Sequence, residues 1–176
     1  MSEAIKCRNR VLKYLQGNVL DIGVDDDKVV PWAIGLDLRR ITNDVNLVGD
    51  ATNLYWFKDN VFDAVFSSHC LEDIVDTESV LREWTRIIKP LGFLILYLPH
   101  KNFYPNIGYP FANLGHKYDF LPDDIINIVL KFPFMKLVYS TVYSPPNGIY
   151  SYENHAKIEY SFEQVFQKGV WNGTIT

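Results

Sequence analysis

Carboxylates and imidazoles are the groups with which this 176-residue chain could do chemistry. Asp21 and Gly23 stand at the end of the short apolar run Val19 to Ile22, and Asp37 closes a second such run, Ala33 to Leu36. Short β-branched runs bounded by Asn18 and Gly23 are buried strands. Two adjacent parallel strands bring their carboxyl ends to one edge of a sheet. Asp21, Gly23 and Asp37 therefore converge on the crevice where open α/β sheets hold nucleotide-like ligands. A carboxylate in the place of Asp37 can accept both hydroxyls of a ribose; its alternative is to cap a helix begun by Leu38, Arg39 and Arg40. His69 follows a further apolar run, and an imidazole titrates near neutrality, which suits it to general acid–base work. His100 and His116 lie in a later aromatic stretch. Asp25, Asp26 and Asp27 form an acidic turn after Gly23. Asp tolerates positive φ, and no further ligands lie near in sequence, so a solvated turn is expected there rather than a metal site.

The elements that must position these groups follow from periodicity and punctuation. Ser2 to Leu15 reads as an amphipathic helix with Ile5, Val11, Leu12 and Leu15 inward, ended near Gly17. Asn46 to Val48 is a third strand, closed by Gly49-Asp50-Ala51, and Phe62 to Ser67 is a fourth whose end carries Ser67, Ser68 and His69. Asp76 caps a helix with Val80, Leu81, Trp84, Ile87 and Ile88 on one face, stopped by Pro90. Phe93 to Leu98 is apolar on both faces, as a strand inside a parallel sheet must be. From Pro99 to Tyr118 no helical period survives. Aromatic residues, His100, His116 and Tyr118 alternate there with prolines and glycines. Such a segment is a substrate pocket, a contact in a homodimer, or a loop held by its own aromatics. Pro122 opens a helix with Ile125, Ile126, Val129 and Leu130 inward. Phe134 to Tyr143 is a sixth strand, and Lys157 to Lys168 a last one at the sheet edge, before a loosely held tail from Gly169 to Thr176.

Asp21-Ile-Gly23, Gly35-Leu-Asp37, Gly49-Asp-Ala51, Asn60 to His69 and Leu81 to Pro90 resemble, in order and spacing, the class I S-adenosylmethionine-dependent methyltransferases over roughly residues 18 to 100. The short link between the first two strands resembles a compact branch of that family associated with glycan biosynthesis. The resemblance implies a Rossmann-like, seven-stranded, mostly parallel α/β sheet with an antiparallel last strand and helices on both faces. It implies S-adenosylmethionine as cofactor, held by Asp21, Gly23, Asp25, Asp37, Leu38, Asp50, Ala51, Ser67, Ser68 and His69. Asp50 would bond the adenine amino group, and the Ala51 amide a ring nitrogen. The family's glycine-rich loop would read Gly-x-Gly-x-Gly; here Asp25 and Asp27 take the second and third positions. The catalytic candidates are His116, His69 and His100, with His116 preferred because Gly115-His-Lys-Tyr118 resembles the family's stretch before its next helix.

The length suits one domain: a helix over 1–17, a cofactor-binding half over 18–100, the aromatic loop over 101–120, and a C-terminal helix and strands over 121–168. A net charge of −4 without a Lys/Arg cluster argues against nucleic acid as partner. No eighteen-residue apolar run occurs, so no membrane partner and a cytoplasmic location are expected. Cys7 and Cys70 lack zinc-ligand spacing, which fits reduced thiols and no metal. The expected activity is methyl transfer to a small polar acceptor such as a sugar or glycan precursor. Against it stands a catalytically silent methyltransferase-like scaffold, motivated by the lost glycines. A dehydrogenase is disfavoured because Gly-x-Gly-x-x-Gly is missing.

Overall fold

The computed structural model describes residues 2–170. The expected loose tail beyond Val170 lies outside the described residues. Seven strands form one sheet: β1 (Val19–Ile22), β2 (Ile34–Asp37), β3 (Leu47–Val48), β4 (Phe62–Ser68), β5 (Ile88–Pro99), β6 (Met135–Val142) and β7 (Ser161–Lys168), in the order β3-β2-β1-β4-β5-β7-β6. The pairs from β3 through β5 are parallel, and β7 is antiparallel to both its neighbours. The last strand therefore does not lie at the edge, as expected, but between β5 and β6. Phe162, Val165 and Phe166 are all fully buried, which an edge position would not allow.

Side-chain alternation divides the core. Leu20, Ile22, Val65, Leu94, Leu96, Phe162 and Phe166 face α2 (Thr77–Ile87) and α3 (Pro122–Val129). Val19, Ala64, Phe66, Ile95, Tyr97 and Val165 face α1 (Ala4–Val11). Helices thus cover both faces, but α1 covers its face with little help. The twelve-residue step from Ile22 to Ile34 contains no helix, and Val29 and Val30 fill the space instead. α1 is shorter than the expected Ser2 to Leu15: it gives way to a 3₁₀ turn over Leu12–Tyr14. Its buried face is Ala4, Cys7 and Val11, while Ile5 and Leu12 are exposed. Small residues win that face because the helix lies close on the sheet.

α2 starts at Asp76, which sits at φ 62° and accepts a hydrogen bond from the Ser79 amide. It ends at Ile87 without help from Pro90, because the chain turns straight into β5 at Ile88, five residues before the expected start. Val80, Leu81, Trp84 and Ile87 are buried along one face as expected. α3 begins at Pro122 and buries Ile125 and Val129; Leu130 lies beyond its end and is exposed. Among the described residues, no helix is long and apolar enough to cross a membrane.

Candidate cofactor cleft

The strand order reverses between β1 and β4, and there the carboxyl ends of the parallel strands open into a cleft of about 430 Å³. Its wall includes Asp21, Gly23, Asp25, Asp37, Leu38, Asp50, Ala51, Ser68 and His69, nine of the residues picked out from the sequence. Ser67 does not line it. The Ser67 hydroxyl points into the sheet and donates to the Ile22 carbonyl at 3.0 Å, fully buried.

Gly23 turns the chain at φ 75°, and a Cβ there would stand 2.6 Å from Cys70 Cβ. Both the dihedral and the close approach require glycine. Asp25 keeps the turn going at φ 50°, a conformation that Asp adopts more readily than most residues. The Asp25 amide donates to Asp37 Oδ2 at 3.2 Å, and the Arg39 amide donates to Oδ1 at 3.2 Å. No helix follows Asp37, so these turn amides take the place of the expected cap. Asp27 lines the cleft as well, but its carboxylate is engaged. Its carboxylate meets Arg8 at 2.6 Å, and Arg8 also donates to the Lys28 carbonyl, so α1 is fastened to the turn.

Asp21 is almost fully buried, and its Oδ2 accepts from the Val29 amide at 2.6 Å. Burial pushes its carboxyl up to about 7, with the Val29 hydrogen bond opposing. On the far wall, Asp50 Oδ1 accepts from the Thr52 amide at 2.8 Å, and the Ala51 carbonyl accepts from Trp84 Nε1 at 2.9 Å. Trp84 is thus core, as expected, and also fixes the turn that follows β3. Sequence reasoning missed this second role, because an indole donor has no periodic signature.

His69 adopts φ 47°. Its amide donates to the Tyr97 carbonyl, and its Nε2 lies 2.9 Å from Ser161 Oγ on β7. Burial, with help from the Lys6 charge, holds its pKa well below the ordinary value, so the ring is neutral at pH 7. Behind it lies Glu72, buried, with its carboxylate 3.9 Å from His69 Nδ1 and 3.6 Å from His116 Nε2. Burial raises the Glu72 carboxyl well above its usual range.

His100 and His116 do not reach the cleft. His100 Nδ1 accepts from the Asn102 amide at 3.1 Å, and its ring stacks on Phe103. His116 is buried against Tyr104, their ring centroids 5.3 Å apart. The aromatic loop as a whole contributes nothing to the cleft wall. It is held by its own aromatics, with Tyr104 packed among His116, Tyr150 and Tyr160, and by the Lys117 and Tyr118 amides on the Glu72 carbonyl. The amino terminus contributes more than its sequence revealed, since Ser2, Glu3 and Ala4 line the cleft. Among the described residues, no group of three or more His, Cys, Asp or Glu is arranged to hold a metal ion.

Residues 33–96 match the family described as methyltransferase domain. A demethylmenaquinone methyltransferase of Mycolicibacterium paratuberculosis is 48% identical over 97 residues, covering 49% of this chain and 40% of that protein. Norajmaline N-methyltransferase of Rauvolfia serpentina is 40% identical over 60 residues, covering 34% of this chain and 20% of that protein. The chain therefore spans less than half the length of these curated relatives. The structure of an S-adenosylmethionine-dependent methyltransferase from Mesorhizobium loti matches at a TM-score of 0.68 and 14% identity, covering 92% of this chain and 96% of that one. At that identity the likeness is one of fold. Strand order, the matched segment and the position of the cleft agree: the fold is the Rossmann-like one seen in S-adenosylmethionine-dependent methyltransferases, and residues 33–96 are similar to a methyltransferase domain.

Proposed function

We propose that the chain transfers a methyl group from S-adenosylmethionine to a small polar acceptor. The observation that carries this is the convergence of Asp37, Asp50 and His69, from the ends of three parallel strands, on one cleft. The residues fit the cofactor. Asp37 keeps room for ribose hydroxyls, since a carboxylate offers about four acceptor sites and two amides occupy only part of them. The Asp50-Ala51 turn, held from behind by Trp84, serves the adenine edge. Ser68 lines the cleft, and its Oγ is buried with no protein partner, ready to bond a polar ligand. When bound, the cofactor supplies a methyl group on a sulfonium, already a good leaving group, so the chain contributes chiefly alignment.

Of the three imidazoles, His69 is the one on the cleft wall, and that place makes it the proton acceptor of this reading, although burial lowers its basicity. His116 and His100 then hold the loop. Tyr104 and Tyr160 pack on His69 without lining the cleft, so the proposed acceptor, such as a sugar or glycan precursor, rests on the short, helix-free link between β1 and β2 and its resemblance to the branch associated with glycan biosynthesis. Isothermal titration with S-adenosylmethionine tests the cofactor, and a screen of activated sugars and small metabolites for S-adenosylhomocysteine release tests the acceptor. Micromolar binding is expected. Absent binding up to millimolar concentration favours the second reading, a silent scaffold, which the amides already bonded to Asp37 support.

A further inference from the structure

The acidic residues that replace the family's glycines leave a charge imbalance on the cleft wall. Glu3, Asp21, Asp25, Asp27, Asp37, Asp50 and Asp73 all line it, and among the described residues Arg39 is the only Lys or Arg that does. Several of the carboxylates are neutralised locally. Glu3 lies 2.7 Å from Lys6, Asp27 lies 2.6 Å from Arg8, and burial holds Asp21 partly protonated at neutral pH. Asp25, Asp37, Asp50 and Asp73 have no ion pair to a Lys or Arg among the described residues. Both Asp25 and Asp73 line the cleft, Asp25 in the turn after β1 and Asp73 at the end of the 3₁₀ turn Leu71–Asp73 after β4. The imidazole nearest Asp73 is His116, and burial keeps that ring neutral at pH 7.

We infer that this acidic wall makes the cleft select the charged cofactor over its spent product, with Asp25 and Asp73 as specificity-determining residues. The inference rests on the reading above that the cleft holds S-adenosylmethionine. The cofactor and S-adenosylhomocysteine share an ammonium, a carboxylate and an adenosine, and differ by the methyl group and one positive charge on sulfur. Any repulsion between the acidic turn and the shared carboxylate weakens both ligands alike and cancels in their ratio. The sulfonium charge does not cancel: a low-dielectric cleft with uncompensated carboxylates holds it more tightly than the neutral thioether. Loss of that charge on transfer then loosens the product, and the acid turn gains a purpose that the missing glycines alone do not supply.

Titration calorimetry of the full chain at low ionic strength tests this with three ligands: S-adenosylmethionine, S-adenosylhomocysteine, and sinefungin, in which an amine replaces the methylsulfonium. The two cations are expected to bind at least tenfold more tightly than S-adenosylhomocysteine, with the advantage shrinking toward parity in 0.5 M salt. Asp25→Asn and Asp73→Asn, alone and together, are expected to cut the ratio severalfold. Asn tolerates the positive φ at position 25, and a thermal melt checks that each variant stays folded. Equal or tighter binding of S-adenosylhomocysteine by the natural chain overturns the inference. So does a ratio unmoved in the folded double variant. Failure of all three ligands to bind strikes instead at the cofactor reading beneath it.

Discussion

Gly23, Asp37 and Ala51 are held by backbone that strand pairing dictates, whereas His100, Tyr104 and His116 are held by one another. At the cofactor end, each residue closes a strand or follows one within three positions, and parallel pairing fixes where it must lie. At the aromatic end, rings pack on rings within a loop that no ladder constrains. The first arrangement makes a wall with polar groups facing a ligand. The second turns its imidazoles inward, and its most exposed apolar side chains are Leu114, Tyr109 and Phe111.

The largest effect that would test this contrast is expected at Gly23. Gly23→Ala combines a strained φ with a Cβ contact to Cys70 and should cost about 3 kcal/mol of stability, read from urea unfolding. A loss under about 0.5 kcal/mol would show that the turn is not dictated by its strands. Next come the imidazoles. His69→Asn should lower methyl transfer by about 10²-fold while sparing cofactor affinity, and His116→Asn should leave the rate per folded molecule within about threefold. The reverse ranking would move the chemistry to the loop. Asp37→Ala should weaken S-adenosylmethionine binding by about 1–3 kcal/mol, by calorimetry on the folded variant. Unchanged affinity would take Asp37 away from the ribose.

A further effect concerns pH. Asp21 keeps its proton in the folded chain up to about pH 7, whereas the unfolded chain loses it near pH 4. Unfolding in that window releases a proton, so this group's contribution falls as pH rises from about 4 through 7. Asp21→Asn, which can still accept from Val29, should remove that fall, about 2–3 kcal/mol between pH 5 and pH 8. The readout is the difference in melting temperature between pH 5 and pH 8, and an unchanged difference would mean that the carboxyl is ionised in the fold.

This contrast also explains what could be seen in the sequence. The parallel strands were legible because short apolar runs ending in Asp or Gly carry their own boundaries, and α2 because Val80, Leu81, Trp84 and Ile87 repeat with the helix. The place of β7 was not legible. Alternation marks a strand but not its neighbours, and only the burial of Phe162 and Phe166 on one face and Val165 on the other shows that it is interior. In the same way, Ser67 and Ser68 are indistinguishable by type. The two-residue period of β4 turns one hydroxyl into the sheet and leaves the other on the cleft wall. The loop histidines attracted a catalytic reading because composition shows what a residue can do and not which way it points. Ser2 and Glu3 escaped notice because their approach to the cleft depends on the Arg8–Asp27 pair, a contact between residues nineteen positions apart.

The interior position of β7 also bears on the order in which the site is assembled. β6 is bonded only to β7, so until residues 161–168 insert, β6 has no ladder and β5 has a bare edge. Pairing Pro99 with Ser161 closes a loop of some sixty residues, a slow step compared with local turns. Ser161 begins that strand, and its hydroxyl meets His69 Nε2. A chain caught before this closure can already have the β1–β4 ends that form most of the cleft wall, yet its imidazole lacks the contact that orients it. Completion of the sheet is therefore what fixes the orientation of the His69 ring.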